Sequence, residues 1–321
     1  MRKRIFACLT GFVLTLCCFA GCHTKSGTMP KNDTLHIVTT NFPAYDWVTR
    51  LLGDNPTGAE VTLLAGNGVD LHSYQATPAD ILTLSTCDLF IYVGGESDQW
   101  INNALRQANN PQMVVVDMMK ALGGAVKAEE QIEGMQEEDE EKTEYDEHVW
   151  LSLRNASFLC GAVAEALCTL DSTHADLYKA NLADYQKQLN ELDADYQTVV
   201  AESPVHTLVF GDRFPFRYLA DDYDLAYYAA FPGCSAETEA GFETIVFLAG
   251  KIDELSLHCV MTIDGSNGKI ARTIAANTAA KNQSVLTLSS MQSAGNAELQ
   301  NGVTYLSVMR ENLAVLKQAL Q

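Results

Sequence analysis

Short apolar runs alternate with segments of helical spacing along most of the chain. The runs are rich in β-branched residues and have the length of single strands; they lie at residues 35–40, 60–65, 88–93, 113–117, 206–210, 225–230, 258–263 and 284–288. Segments in which apolar residues recur every three or four positions lie between them, near residues 45–52, 101–108, 236–255, 267–280 and 303–320. This alternation predicts βαβ units and an α/β fold with parallel sheets.

The two groups of βα units are separated by residues 172–202, which read as one long helix. Apolar residues keep three- and four-residue steps through this segment, which contains no Gly or Pro, and Asp171 or Ser172 can cap its start. Such a helix is roughly 45 Å long, which is more than one lobe requires. An ordinary amphipathic helix is the alternative, but the flanking repeats favour a bridge between an N-terminal lobe, residues 34–171, and a C-terminal lobe, residues 203–321.

Residues 1–22 have the pattern of a secretory signal. Three basic residues, Arg2 to Arg4, precede an apolar run that is shorter than the roughly 20 residues of a membrane-spanning helix. The run ends in Phe-Ala-Gly-Cys, which resembles a bacterial lipobox with Phe19 in place of the usual leucine. We therefore expect an extracytoplasmic protein that is anchored to the membrane by lipid on Cys22, with residues 23–33 as a polar tether. A secreted protein without an anchor is the alternative.

The chain is strongly acidic, with a formal net charge of −20 that falls further when the basic signal is removed. Nucleic acid and anionic lipid would repel such a chain, whereas cations suit it. Residues 129–147 contain eleven acids and one lysine, which predicts a mobile loop that buries no core. The loop either serves solubility alone or gathers cations for a site at His148, which follows it directly.

Five cysteines follow the signal and the lipobox: Cys87, Cys160, Cys168, Cys234 and Cys259. Their odd number and the absence of a CxxC motif exclude a complete disulfide framework and a zinc-finger spacing. One disulfide is permitted, but the sequence does not select the pair. We expect at least three buried free thiols.

Two of the seven histidines lie in predicted loops next to helix starts. His72 follows an apolar strand and precedes Pro78, which can start a helix, and His148 joins the acidic loop to a helix that begins near Asn155. Solvated surface histidines are the alternative, since spacing alone is weak evidence for a pair of metal ligands. Structural or solvated roles are expected for the other histidines of the folded part, which are His36, His174, His206 and His258.

Three motifs carry a family resemblance. HSYQATPADI, DEHVWLSLRNA and TYLSVMRENLAVLKQAL, together with the long central helix, resemble the metal-binding lipoproteins of bacterial zinc and manganese ABC importers, the cluster A-I solute-binding proteins. The resemblance covers essentially the whole mature chain in the same order. It implies that His72 and His148 bind a divalent metal in the cleft between the lobes. It also implies a monomeric binding protein, and no enzyme, that delivers the metal to an ABC permease.

The resemblance fails at the third ligand, which the family takes from a His-x-Ala-Phe-x-Tyr stretch. Matching Phe216 and Tyr218 places Arg213 at the position of the histidine, and matching the preceding strand places Gly211 there. Neither side chain can coordinate a metal. Asp212 is the predicted substitute, with an ion pair to Arg213 or Arg217 as the alternative.

The resemblance places the fourth ligand, a carboxylate, after a strand of the C-terminal lobe. Asp264 stands at such a strand end and is predicted to be this ligand, with helix capping as the alternative. Glu239 resembles a family acid that lies near the cleft without touching the metal. Two imidazoles favour zinc, but their combination with carboxylates also admits manganese, so we expect Zn²⁺ with Mn²⁺ as the alternative.

Three other functions are alternatives to metal capture. A metallohydrolase would use the same histidines but needs an open coordination position and a base, and the sequence contains no HExxH motif. A dinucleotide enzyme is disfavoured because no GxGxxG follows the first strand. A surface adhesin on the same fold remains open, and a chain that binds no metal would favour it.

Overall fold

The computed structural model describes residues 34–135, 145–235 and 239–321. The predicted signal and Cys22, the tether 23–33 and residues 136–144 of the acidic segment lie outside the described residues. Among the described residues, no helix combines the length and the apolar character that crossing a membrane requires.

The N-terminal lobe contains a four-stranded parallel sheet in the order β2-β1-β3-β4. Its elements are β1 (His36–Thr39), α1 (Phe42–Leu52), β2 (Glu60–Leu63), α2 (Pro78–Thr86), β3 (Leu89–Tyr92), α3 (Gln99–Arg106), β4 (Val114–Asp117), α4 (Met118–Leu122) and α5 (Leu153–Leu170). The start of α2 is fixed locally, because Thr77 and Asp80 form a reciprocal capping box around Pro78.

Helix α6 (Ala175–Glu202) connects the two lobes, as predicted. A short 3-10 turn, Ser172–His174, precedes it and is capped by Asp171. The helix packs against α1 and α5 of the N-terminal lobe, where Asn181 donates to the Leu51 carbonyl at 2.9 Å. Nearer its end, Tyr196 donates to the Met309 carbonyl of the C-terminal lobe at 2.6 Å.

The C-terminal lobe contains a second parallel sheet, in the order β6-β5-β7-β8. Its elements are β5 (Thr207–Phe214), α7 (Arg217–Asp222), β6 (Ala226–Pro232), α8 (Phe242–Glu254), β7 (Cys259–Ile263), α9 (Lys269–Asn277), β8 (Ser284–Leu288), α10 (Asn296–Gln300) and α11 (Tyr305–Ala319). The predicted α/β fold with two parallel sheets and a bridging helix is confirmed. The helix predicted near 236–255 begins only at Phe242, because Gly241 is extended.

One core cluster runs through both lobes and the bridging helix, and it includes Trp47, Trp150 and Tyr305. Two smaller clusters cover the remaining faces of the sheets. Parallel sheets are normally buried on both faces in this way, which explains why their strands were visible as continuous apolar runs.

The prediction that the acidic segment 129–147 buries nothing is wrong for its described ends. Met135 is buried in the main core and Ile132 packs against it. At the other end Asp146 and Glu147 are 2 % and 3 % exposed. The segment therefore leaves and re-enters the protein interior next to His148, because its few apolar residues and its last acids have partners within the fold.

Candidate metal centre

His72 lies in the connection between β2 and α2, in a 3-10 turn, Leu71–Ser73, whose first residue follows the capping Asp70. The Asp70 carboxylate accepts the backbone N–H of His72 at 3.0 Å. The imidazole Nδ1 lies 2.8 Å from Ser97 Oγ and 3.6 Å from Glu147 Oε2. Because Nδ1 is held on this side, Nε2 is the nitrogen left to face a ligand.

His148 is fully buried and directly precedes the 3-10 turn Val149–Leu151 that leads into α5. Its Nδ1 donates to Asp146 Oδ1 at 2.9 Å, and the same oxygen accepts the backbone N–H of His148 at 2.8 Å. Tyr218 of the C-terminal lobe donates to the Asp146 carbonyl at 2.8 Å. The ring is thereby fixed by a carboxylate, which is the usual arrangement around a metal-binding histidine.

The two predicted histidines meet. Their Nε2 atoms lie 3.1 Å apart, although 76 residues separate them in sequence. Burial is the main cause that lowers the pKa of both imidazoles, to about 4 for His148, and the charge of His148 also lowers that of His72. Both rings are therefore neutral near pH 7, and neutral imidazole is the form that binds a metal.

Within the described part of the chain, one further side chain joins this pair in a possible metal cluster. Cys234 follows β6, and its Sγ and one ring nitrogen of each histidine all lie within 4.8 Å of one another. In the sequence, Cys234 is one of five cysteines with no predicted role in metal binding. The available signal was its place just after a predicted strand, since ligands of parallel sheets bind at the carboxyl ends of strands.

The two predicted carboxylate ligands lie outside this cluster. Asp212 Oδ2 accepts from Thr262 Oγ1 at 2.7 Å, and Asp264 Oδ1 accepts from the backbone N–H and the hydroxyl of Ser290. Both residues line the same cleft as His72, which has a volume of about 580 Å³. The structure thus places them in the cleft that His72 lines but outside the cluster. These positions do not test their predicted role as ligands, and their bonds to Thr262 and Ser290 favour a weaker effect on the metal. The alternative role of Asp264 as a helix cap is wrong, because Gly268 occupies the cap position of α9.

Arg213 stands where the resemblance expects a histidine, and its side chain links the two lobes. Its Nη2 lies 2.6 Å from Asp70 Oδ2, and Nη1 donates to the Ser235 carbonyl at 3.3 Å. Although burial opposes the effect, the Arg213 guanidinium lowers the pKa of Asp70. Arg213 therefore connects the residue two places before His72 with the residue directly after Cys234.

Gln292 closes the cluster from the loop after β8. Its buried amide contacts Nε2 of His148 and lies 3.4 Å from Nε2 of His72. The amide oxygen lies 3.5 Å from Arg213 Nη2. The ligand nitrogens of both histidines are thus in contact with a polar group of the C-terminal lobe and shielded from bulk water.

Two buried acids and the half-buried Asp98 lie in the lobe that carries the two histidines. Burial is the main cause that raises the pKa of Asp98, Asp146 and Glu147, each to about 7. Burial likewise raises the pKa of the Cys234 thiol, and the charge of Glu129 adds to the effect. A cation in the cluster would favour the charged forms of these groups, so the electrostatics suit a positively charged ligand.

Most other cysteines and histidines of the described residues are buried or have partners within the fold. All five described cysteines are free thiols, and Cys87, Cys160 and Cys259 are buried, as expected. His36 pairs with Glu60, His174 with Asp171, and His258 with the Gln318 carbonyl.

Fold and site together define a two-lobed protein with two buried imidazoles and a thiol grouped at the carboxyl ends of its strands. The family model for the periplasmic zinc-uptake complex component A, ZnuA, matches residues 37–319. The chain belongs to this family, which confirms the resemblance seen in the sequence. The family comprises extracytoplasmic binding components of zinc uptake, and the enzyme alternative is not supported.

Named relatives agree with this assignment. The chain is 26 % identical over 324 residues to the high-affinity zinc uptake system protein ZnuA of Bacillus subtilis, covering 98 % of this chain and 97 % of the relative. It is 26 % identical over 290 residues to the zinc-binding lipoprotein AdcA of Streptococcus pneumoniae strain R6, covering 88 % of this chain and 55 % of AdcA. The chain thus spans only about half of that longer relative.

Solved structures share the fold. The metal-dependent lipoprotein YcdH from Bacillus subtilis superposes with a TM-score of 0.72 at 24 % identity, covering 89 % of this chain and 100 % of that one. The Zn(II)-bound ZnuA-like domain of Streptococcus pneumoniae AdcA superposes with a TM-score of 0.70 at 24 % identity, covering 89 % and 99 %. At these identities the likeness concerns the fold.

Proposed function

We propose that this protein captures Zn²⁺ outside the cytoplasm, between its two lobes, and delivers it to an ABC permease. The observation that carries the proposal is the histidine pair, whose Nε2 atoms lie 3.1 Å apart. Two nitrogen ligands on one tetrahedral zinc ion, each at 2.0–2.1 Å from the metal, are separated by about 3.3 Å. Membership in the zinc-uptake family supports zinc over manganese as the cargo.

Delivery to a permease requires that the ion can be released, and a site built from two lobes allows this. His72 and His148 belong to the N-terminal lobe, whereas Arg213 and Gln292 belong to the C-terminal lobe and contact them or their neighbours. A small displacement of one lobe against the other would separate these residues and release the ion. The adhesin alternative has no comparable support in the site.

The lipid anchor is part of the proposal. The lipobox ending in Cys22 supports a mature chain that starts with an acylated cysteine, followed by the tether and by lobes with the boundaries given above. Cys22→Ala should shift the protein from the membrane fraction to the medium. If the variant stays with the membrane, the anchor assignment is wrong while the zinc proposal is unaffected.

Zinc binding is tested by competition of the purified protein with a chromogenic chelator. The parent should bind one Zn²⁺ tightly, and His72→Ala and His148→Ala should each lose more than about 100-fold in affinity, since even outer-shell changes cost 10–100-fold. His36→Ala and His174→Ala are matched controls, because both lie outside the cluster. Equal affinity of all five proteins would refute the site, and an absence of zinc binding by the parent would refute the function.

A further inference from the structure

Cys234 differs from the other described cysteines in its surroundings. Cys87, Cys160 and Cys259 are buried thiols, and Cys168 lies beside α6, where its thiol contacts the Ala175 carbonyl. Cys234 instead lies in the turn after β6 with its Sγ grouped with the two buried imidazoles. A thiol that served packing alone would be expected among apolar side chains.

The distances suit a metal ligand set. The Sγ atom and the two ring nitrogens lie within 4.8 Å of one another. Around a tetrahedral zinc ion, a thiolate and an imidazole nitrogen are about 3.6 Å apart and two nitrogens about 3.3 Å apart. Since the Sγ–N separations are at most 4.8 Å, a closure of at most about 1.2 Å completes the geometry.

The turn that carries Cys234 is held in place from both lobes. Glu129 Oε1 accepts the backbone N–H of Cys234 at 3.1 Å, and Arg213 binds the carbonyl of the next residue, Ser235. Gly233 allows the turn to pack tightly, because a Cβ atom there would lie 2.8 Å from the Phe214 carbonyl oxygen. The thiol therefore reaches the histidines through a fixed backbone.

The same contacts explain why a histidine is not needed at position 213. The Arg213 side chain extends past the cluster to Asp70, and its guanidinium joins the turn of His72 to the turn of Cys234. An arginine cannot coordinate a metal, but it can hold two ligand-bearing turns together. Arg213, at the position that the resemblance assigns to a ligand, therefore holds the two turns together. The ligand atom comes from the turn that contains Cys234.

We propose that Cys234 is the third protein ligand of the transported metal, so that His72, His148 and Cys234 form a two-imidazole, one-thiolate site. This inference rests on the proposed function. Thiolate is a soft ligand that suits zinc and disfavours manganese, which prefers oxygen. Cys234 is therefore also the residue that selects Zn²⁺ over Mn²⁺.

Cobalt substitution and zinc affinity test the ligand directly. The Co²⁺ complex of the parent should show a thiolate-to-cobalt charge-transfer band in the near ultraviolet, and Cys234→Ala should lack it. Zinc affinity of Cys234→Ala should fall by more than about 100-fold. Cys168→Ala is the matched control, because it removes another partly buried thiol away from the cluster, and it should keep both the band and the affinity.

A second measurement uses only the parent protein, so its result does not depend on whether Cys234→Ala folds. Zn²⁺ should block alkylation of Cys234 by iodoacetamide, mapped by mass spectrometry, and should leave the alkylation of Cys168 unchanged. If the parent binds Zn²⁺ and His148→Ala loses it, while Cys234 is neither protected nor needed, the thiolate ligand is refuted and the proposed function stands. If the parent binds no Zn²⁺, both proposals fall.

Discussion

The metal centre has two halves that hold their polar groups in different ways. In the N-terminal lobe, each imidazole is fixed by a partner from the same lobe, Asp146 for His148 and Ser97 for His72. Desolvation raises the pKa of two buried acids and of the half-buried Asp98 there to about 7. In the C-terminal lobe, the Arg213 guanidinium and the Gln292 amide reach across to the other lobe. One half is organised within its own loops, and the other depends on contact between lobes.

This difference indicates how capture and release can be combined in one site. Ligands that are fixed before the metal arrives lose little entropy on binding, which favours affinity. Ligands held by contacts between lobes are lost when the lobes separate, which favours release. The following changes act on one half or the other.

The largest effect is expected from the partner of His148. Asp146→Asn removes the negative charge that fixes the imidazole, while an amide oxygen can still accept one hydrogen bond. Zinc affinity should fall by about 10–100-fold, the usual cost of losing an outer-shell carboxylate. Asp184→Asn on the exposed face of α6 is the control and should bind like the parent. An unchanged affinity of Asp146→Asn would mean that the N-terminal half is not organised by this carboxylate.

A smaller loss of zinc affinity is expected when Arg213, which links the C-terminal half to Asp70, is replaced. Arg213→Gln removes the ion pair to Asp70, and zinc affinity should fall by about tenfold because the Cys234 turn is less well positioned. Arg213→Lys keeps the charge and should recover part of the loss, as seen by chelator competition. The cobalt charge-transfer band should remain in both variants, since the thiolate is still present. A full loss of the band would show that Arg213 does more than position the turn.

The buried acids predict a dependence of stability on pH. Asp98 accepts the backbone N–H groups of Val93 and Gly94 through one oxygen, which an Asn can imitate. Because burial raises the pKa of Asp98 to about 7, the folded state binds more protons than the unfolded state between about pH 4 and 7, and stability is lost as the pH rises through this window. Asp98→Asn should therefore gain on the order of 1 kcal/mol over the parent between pH 5 and 8, measured by urea unfolding with a chelator present. A difference that does not change with pH would contradict the assignment.

The smallest effect is expected from the carboxylates that the sequence proposed as ligands. Asp212 and Asp264 accept hydrogen bonds from Thr262 and Ser290, away from the cluster. Asp212→Asn and Asp264→Asn should each change zinc affinity by less than about threefold, or ~0.7 kcal/mol. A loss as large as that of His148→Ala in either variant would restore that aspartate as a ligand.

The strands and the bridging helix could be read from the sequence for physical reasons, whereas the histidine pair was assigned through the family resemblance of its motifs. Strands buried on both faces leave continuous apolar runs, and α6 leaves a long periodic stripe with Tyr185, Leu189 and Leu192 buried. For His72 and His148 the spacing alone is weak evidence, and the resemblance of their motifs carried the assignment. The structure adds that Asp146, two residues before His148, fixes its ring. Local patterns of apolar residues are therefore sufficient to predict the strands and α6.

Cys234 and the role of Arg213 could not be read in the same way. Their contacts with the N-terminal lobe join residues more than 80 positions apart, as in the pair Arg213 and Asp70, and depend on how the lobes pack. A single cysteine after a strand has the same local pattern as a packing thiol. The burial of Met135 could not be predicted either, because isolated apolar residues in an acidic segment give no periodic signal.

X-ray absorption at the zinc edge is the most direct test of whether Cys234 binds the metal together with the two histidines. It reports the atoms bound to the metal in the intact protein. We expect one sulfur at about 2.3 Å and nitrogen or oxygen ligands at about 2.0–2.1 Å, with outer scattering from two imidazoles. Cys234→Ala should lose the sulfur shell, whereas Cys168→Ala should keep it. A zinc-loaded parent whose spectrum contains two imidazoles and no sulfur would contradict the thiolate ligand.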